Sequence, residues 1–482
     1  MTSQDPTDLE LEATLSTYAE ALNHSIPATS IPSADPDHDS GSAPLLATEL
    51  GGASYGSSDP SPPATRSSRL AVAAALLAFG VIAVALVVGR GATGPSSGTP
   101  GWSRLSKAPI AGRSETTVIW TGSQFIVFGG RDPLLDPAVA SGRTVGTSAP
   151  PGSPAASSRS PERPLDGAAY DPASRRWTTV PEPPVPAGFD VIPIATASDT
   201  LTVMYGPVGC SAAVGAVTSA GPSGATFVPS TGTWQPLPAL PQRFTCNPQG
   251  VRVGDTLYVW GGIADGHTLG YALGPSGAWS RVPVPPMGRT PDLVASGGKV
   301  YAFSSGIGAP VSEPGETGSP AKAAVFDPGS STWSALPDPP IVLIGGAVDL
   351  NGTVLVWDGQ HGAVLTSLST WHTTPDLPLA ARVSAATAPV GGRFAVWGGW
   401  QVAAGGVQGA GSFQPFTQML SDGALYDPAT DSWQLMPGAP IGRRSGTGSA
   451  GSADLLFIWG GTNADQSSVP QLDDGATYRP SP

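Results

Sequence analysis

The chain has 482 residues, enough for one large core or two modest ones. Charged residues make up only 12%, while 63 glycines and 53 prolines approach a quarter of the chain, which excludes a mainly helical enzyme and calls for many turns. The formal charge of −13 falls mostly before residue 70, and no part has the basic surplus that a nucleic-acid backbone demands.

Residues 1–69 read as a mostly disordered leader rich in Ser, Pro, Ala, Asp and Gly. Within it, 7–24 has a capped start and an apolar stripe of Leu9, Leu11, Leu15, Tyr18 and Leu22, which predicts one short amphipathic helix. Such a helix does not fold alone; it docks on a partner or stays loosely formed. Residues 70–89, LAVAAALLAFGVIAVALVVG, hold no charge between Arg69 and Arg90, and that length spans a hydrocarbon core of about 30 Å as a helix. The segment is too far from Met1 for an ordinary cleaved signal peptide. The flanking arginines do not settle its orientation. The short leader and the two cysteines favour a signal-anchor with the C-terminal part outside the cytoplasm. Three lysines against twenty arginines are read as genome composition rather than function, and the chain is expected to be a single-pass bacterial membrane protein. Residues 90–101 form a linker.

From Trp102 a pattern repeats. Seven apolar runs end at Phe128, Tyr205, Trp260, Phe303, Trp357, Trp397 and Trp459, and four of these aromatics are followed by Gly-Gly. Each run is short and rich in Val, Ile, Leu and aromatics, so it reads as a buried strand. The glycines supply positive-φ freedom for a sharp turn. A second strand then ends near a turn such as Tyr170-Asp-Pro or Tyr426-Asp-Pro, where Asp bonds amides two residues on and Pro presets φ. Copy five keeps the spacing without that turn. Then comes a Trp strand (177, 234, 279, 333, 371 and 433), closed by proline motifs such as VPEPP or MPGAP. The seventh copy ends at Pro482 without its Trp strand, and the unmatched strand WSRLSKAP stands before the first copy. A ring resolves both mismatches: the strand at Trp102 completes the last sheet.

The Gly-Gly pair, the Tyr-Asp-Pro turn and the Trp seven residues after the Tyr resemble the kelch-repeat β-propeller family over residues 102–482. The resemblance implies an all-β fold: a seven-bladed kelch-type β-propeller, its last blade closed by the N-terminal strand at Trp102, preceded by one transmembrane helix. Departures are the lost Gly pairs in copies two, four and five and two long inserts, 131–166 and 400–422. The second insert carries Phe413, Phe416 and Met419. The family implies little chemistry, because kelch propellers serve as binding modules, scaffolds and occasionally enzymes.

In this topology the first strands line the channel, and their starts carry Arg113, Arg243, Arg289, Arg382, Arg443 and Arg444. Copies two and five have Phe189 and Val342 there instead. Two readings of these arginines stand: a broken cationic ring that binds an acidic peptide or sugar acid, or family grammar that bonds loop carbonyls between blades. Both inserts share their face. Cys210 and Cys246 fall near that face in neighbouring blades, which predicts a disulfide worth roughly 4 kcal/mol by loop entropy, two free thiols being the alternative. The five histidines are scattered, with no ligand spacing and so no metal or cofactor site. The two Tyr, two His and Tyr-Cys crosslink of galactose oxidase have no assignable match, and PSTGTW (229–234) lacks the Asp of a sialidase turn. No nucleophile elbow, P-loop or His-Glu-x-x-His occurs. The expected function is a membrane-anchored, extracytoplasmic binding or sensing module for an unknown protein, peptide or carbohydrate, not for nucleic acid. The alternatives are a carbohydrate-active enzyme, galactose-oxidase-like or epimerase-like, and a transmembrane regulator acting through the N-terminal helix.

Overall fold

The computed structural model describes residues 99–132, 164–186, 189–194, 200–207, 221–263, 267–287, 291–305, 321–341, 345–402, 416–463 and 471–481. The segments 7–24 and 70–89 lie outside them, as do Cys210, Arg289, Val342 and Phe413. Among the described residues no helix is long and apolar enough to cross a membrane.

The described chain is all-β. It forms seven four-stranded antiparallel sheets and one three-stranded sheet. Sheet 1 runs Thr117–Trp120, Phe125–Phe128, Gly167–Asp171 and Arg176–Val180. Sheets 2 to 6 repeat that meander, starting at Phe189, Cys246, Asp292, Gly346 and Ala386. Sheet 7 takes Gly448–Gly451, Leu456–Trp459 and Gly475–Arg479 from the end of the chain and Gly101–Arg104 from its other side. Trp102 pairs with Tyr478 and Gly101 with Arg479, so the strand missing from the last copy is the one at Trp102.

The second strand of each sheet is covered on both faces, which is why its sequence does not alternate. Phe125, Ile126, Val127 and Phe128 are fully buried, as are Leu456 to Trp459. Each hydrophobic cluster lies between two consecutive sheets. Ile126 and Phe128 of sheet 1 meet Val203 and Phe227 of sheet 2. Trp260 meets Phe326, Phe303 meets Val356, and Trp357 meets Phe394 farther along the series. Sheet 7 packs on sheet 6 through Tyr478 and Trp397, and on sheet 1 through Phe457 and Phe125.

The repeat's marks acquire physical roles here. Asp171 Oδ1 accepts the amides of Ala173 and Ser174, Asp327 Oδ1 those of Gly329 and Ser330, and Asp427 Oδ1 that of Ala429. Gly460 (φ 74) and Gly461 (φ 96) close the second strand of sheet 7. A Cβ on Gly460 would sit 2.4 Å from the Arg113 carbonyl oxygen, so the pair permits close approach to sheet 1 as well as the turn. Gly261 and Gly262 differ from the expectation: they have no positive φ and simply extend the second strand of sheet 3.

The Trp of every fourth strand reaches across to the sheet before it. Its indole N–H donates to a backbone carbonyl just past that sheet's last strand. The bonds run Trp177 to Ser106 (2.9 Å), Trp234 to Pro181 (2.7 Å), Trp279 to Pro238 (2.9 Å) and Trp333 to Pro283 (3.0 Å). Trp371 to Pro337 (2.9 Å), Trp433 to Pro375 (2.8 Å) and Trp102 to Pro437 (2.8 Å) complete the series. The Trp102 ring also packs 4.9 Å from Tyr478 and 6.0 Å from Trp397. Replacing Trp433 by Phe removes one such bond and little packing, and should cost about 1 kcal/mol in denaturant unfolding. Trp102→Ala removes a bond and the contacts that hold the last sheet shut, and should cost about 3 kcal/mol. Equal losses from the two would show that the strand at Trp102 carries no special weight.

Candidate functional site

Three of the sequence-selected arginines occupy one structural position. Arg113, Arg382 and Arg444 are 2%, 1% and 2% exposed, at the starts of sheets 1, 6 and 7. Each Nε donates to the carbonyl two residues back, on Ala111, Ala380 or Gly442. Each Nη1 bonds the first Gly carbonyl of its own sheet's pair, Gly129, Gly398 or Gly460, at 3.2–3.3 Å. The same Nη1 bonds an aspartate that opens the third strand: Asp166 Oδ1 at 2.8 Å, Asp422 Oδ1 at 2.9 Å and Asp474 Oδ1 at 2.7 Å. The side chains thus clamp the start of the first strand to the end of the second and the start of the third. They do not present guanidinium groups to solvent.

The other arginines go elsewhere. Arg243 is 6% exposed, donates to the carbonyls of Gly221 and Pro222 at 3.0 Å, and stacks 4.8 Å over Phe189. Burial lowers its pKa from the usual arginine value. Arg443 is exposed beside the buried Arg444. Cys246 opens the first strand of sheet 3 opposite Gly262, while Cys210 lies outside the described residues, so their expected bond does too. No disulfide is seen among the described residues.

The aspartates of the clamp were missed from sequence, although a signal is present. Asp166, Asp422 and Asp474 each stand in an Asp-Gly-Ala-x-Tyr string: DGAAY, DGALY and DGATY. Burial alone would raise the Asp474 carboxyl, but hydrogen bonds from Arg444 and Arg104 outweigh it and hold it below the usual carboxylate range.

The clamp fixes the loops that lead into the first strands of these sheets. Two residues past each Arg, Glu115 (φ 54), Ser384 (φ 51) and Gly446 (φ 60) adopt the left-handed region. The Glu115 amide donates to the Gly446 carbonyl at 2.7 Å, and the Gly446 amide to the Ser384 carbonyl at 3.1 Å, so three consecutive sheets share a chain of backbone bonds. Glu115 and Ser384 are non-glycine residues held in a sparsely populated conformation, which the surrounding bonds enforce. Glu115 and Arg131 face each other across 3.9 Å. Asp292 begins the first strand of sheet 4 opposite Phe303. Its side chain is open to solvent yet crowded by protein on its flanks, and that partial desolvation raises its carboxyl.

One elaboration stands on this face. In sheets 1 and 7 the clamp segment makes single bridges, Ser114 to Arg131 and Ser445 to Thr462. In sheet 6 the same segment becomes a three-stranded sheet of Arg382–Val383, Trp400–Val402 and Phe416–Met419. The insert 400–422 is thus not wholly loop: its two ends are paired strands. Val402 and Met419 are each 6% exposed and seat the hairpin, while Gln418 donates to Gln401 Oε1 at 2.7 Å. Among the described residues no group of three His, Cys, Asp or Glu side chains is placed to hold a metal ion.

No family model matches the chain. A kelch-like protein of Aspergillus terreus, terF, is 28% identical over 127 residues, covering 25% of this chain. The chain matches only 26% of that protein's own length. Among solved structures, a fungal alcohol oxidase described as catalytically diverse among the AA5 family, in complex with copper, aligns with a TM-score of 0.50. It is 13% identical, over 80% of this chain and 77% of the oxidase, so the likeness speaks to fold alone. The repeats, the four-stranded sheets and these two likenesses fit a kelch-like, propeller-like family.

The Asp474 pair gives a pH test. A carboxyl depressed in the folded state contributes stability above its unfolded pKa of about 3.9, and that contribution fades as pH falls through the folded value. The melting midpoint of the native chain should therefore drop on acidification below about pH 4. Asp474→Asn should melt lower at neutral pH and show a shallower acid drop; parallel acid profiles for the two would refute the assignment.

Proposed function

We propose that this chain is a membrane-anchored, seven-bladed kelch-like propeller that works outside the cytoplasm as a binding or sensing module. The observation that carries the reading is the hairpin of sheet 6. It is a structured, polar elaboration raised on one face, seated on a buried Arg–Asp clamp. Arg443, the exposed arginine among the described members of the set, directly precedes the clamp's Arg444. Binding residues favour loops carried by a rigid scaffold. Seven core clusters, each joining consecutive sheets, support the seven-bladed count.

The ligand classes in view are an acidic peptide and a carbohydrate. The full chain, presented to acidic-peptide and glycan arrays, should retain ligands that the triple variant Trp400→Ala, Gln401→Ala, Gln418→Ala loses without a change in melting midpoint. Binding that survives the triple substitution would move the site off this face. Copper-dependent alcohol oxidation by the native chain would instead favour the enzyme alternative, which rests on the fold of the copper-containing neighbour. The anchoring part of the proposal rests on residues 70–89. Protease added to intact cells should release the propeller and spare the leader. Protection of the propeller with digestion of the leader would reverse the topology.

A further inference from the structure

Sheet 3 departs from the clamp pattern in a way that leaves a cation beside a groove. In sheet 7, Arg104 on the outermost strand pairs with Asp474 at 2.8 Å. Arg281 is its counterpart in sheet 3. Arg104 lies opposite Ala476, Arg281 lies opposite Tyr271, and Gly475 and Gly270 hold the same place beside Trp459 and Trp260. The position of Asp474 is then Leu269, opposite Gly261. An apolar side chain thus stands where three other sheets place a carboxylate.

The consequence is local charge imbalance. Arg281 is exposed, its guanidinium lies 5.6 Å over the Tyr271 ring, and it forms no ion pair among the described residues. Beside it opens a groove of about 730 Å³, within the usual range of small-ligand sites. Its floor is Ile263 (8% exposed) and Leu269 (5%). Val284, one of the few large apolar side chains left open at 43%, forms a wall, and Gln242 and Thr268 supply neutral polar groups. No described carboxylate lines the groove, in a chain whose net charge is −13.

We infer that this groove on sheet 3 binds a small carboxylate carrying an apolar body, with Arg281 taking the carboxylate and Ile263, Leu269 and Val284 taking the body. A planar guanidinium matches a carboxylate with two parallel hydrogen bonds, and its stacking on Tyr271 presets its orientation. The inference does not depend on the hairpin of sheet 6, so either site can fail alone.

Phenylacetate and its neutral isostere phenylacetamide test it, by ligand-observed saturation-transfer NMR on the full chain in lipid nanodiscs. Phenylacetate should bind at least about tenfold tighter than the amide. Arg281→Gln should abolish that preference, and Arg281→Lys should keep part of it. Val284→Asp, at an exposed wall position, should weaken phenylacetate more than the amide. Melting midpoints of the variants should match the native chain, since none of these side chains is buried. Equal affinity for acid and amide, a preference that survives Arg281→Gln, or no binding of phenylacetate up to about 20 mM would each overturn the assignment.

Discussion

The indole-to-carbonyl bond between consecutive sheets is the constraint on which the architecture rests. A four-stranded sheet of this size has two apolar faces and no means of covering either by itself. It must lie between two others, and the seven core clusters show that each does. Apolar packing is non-directional, however, and would tolerate sliding of one face on the next. The Trp bond fixes the register. Its acceptor usually belongs to a proline motif, which cannot continue a strand and so turns its carbonyl toward the following sheet. One residue type therefore ends a strand and supplies the hook for the next sheet's Trp. Taking the first sheet's Trp177 back to Ser106 requires the strand at Trp102 to be in place, so closure and indole bonding are one event.

The second constraint is unevenly distributed. Among the described residues the Arg–Asp clamp occurs in sheets 1, 6 and 7, which are neighbours through the closure. Burying a guanidinium is costly unless its donors find partners; in Arg382 Nε and Nη1 take three carbonyls and a carboxylate, while the buried Nη2 has no partner among the described residues. The reward is rigidity: the clamp ties together three segments whose loops would otherwise move separately. It also holds the left-handed Glu115 and Ser384 in place. Where Leu269 replaces the aspartate, Arg243 turns instead to Gly221, Pro222 and Phe189 of the preceding sheet.

Much of this was legible in the chain. Unbroken apolar runs ending in aromatic-Gly-Gly gave the second strands because those strands are buried on both faces. The absent Trp strand after Tyr478, with its surplus copy at Trp102, gave the closure because a strand count must balance in a ring. The Asp-Pro turns followed from local chemistry, and Asp171, Asp327 and Asp427 bond as their type requires. Less legible was anything that depends on which atoms meet across sheets. Arg at the strand starts was visible, but whether it faced the channel or its own sheet depended on a partner 30 to 53 residues away. The Asp-Gly-Ala-x-Tyr string carried that partner in plain view. The string is ambiguous by itself, because Asp before Gly also signals an ordinary turn. The hairpin within 400–422 was hidden because its strands, WQV and FTQM, are short and half polar.

These two constraints divide the labour of the ring. The indole bonds are present in all seven sheets and tolerate variation at the loops, because they involve only the outer strand and the exit that follows it. In sheets 1, 6 and 7 the clamp acts at the opposite end of the strand order, from the first strand to the third, and restricts the loops directly. A sheet that keeps the clamp has its mouth loops pinned, and new structure can be raised on it without loss of register, as the hairpin of sheet 6 shows. A sheet that gives up the clamp frees a charge and a volume, as Leu269 does beside Arg281. Variety of surface on these sheets therefore comes from two opposite moves made on one scaffold: building upward where the aspartate is kept, and opening a groove where it is lost.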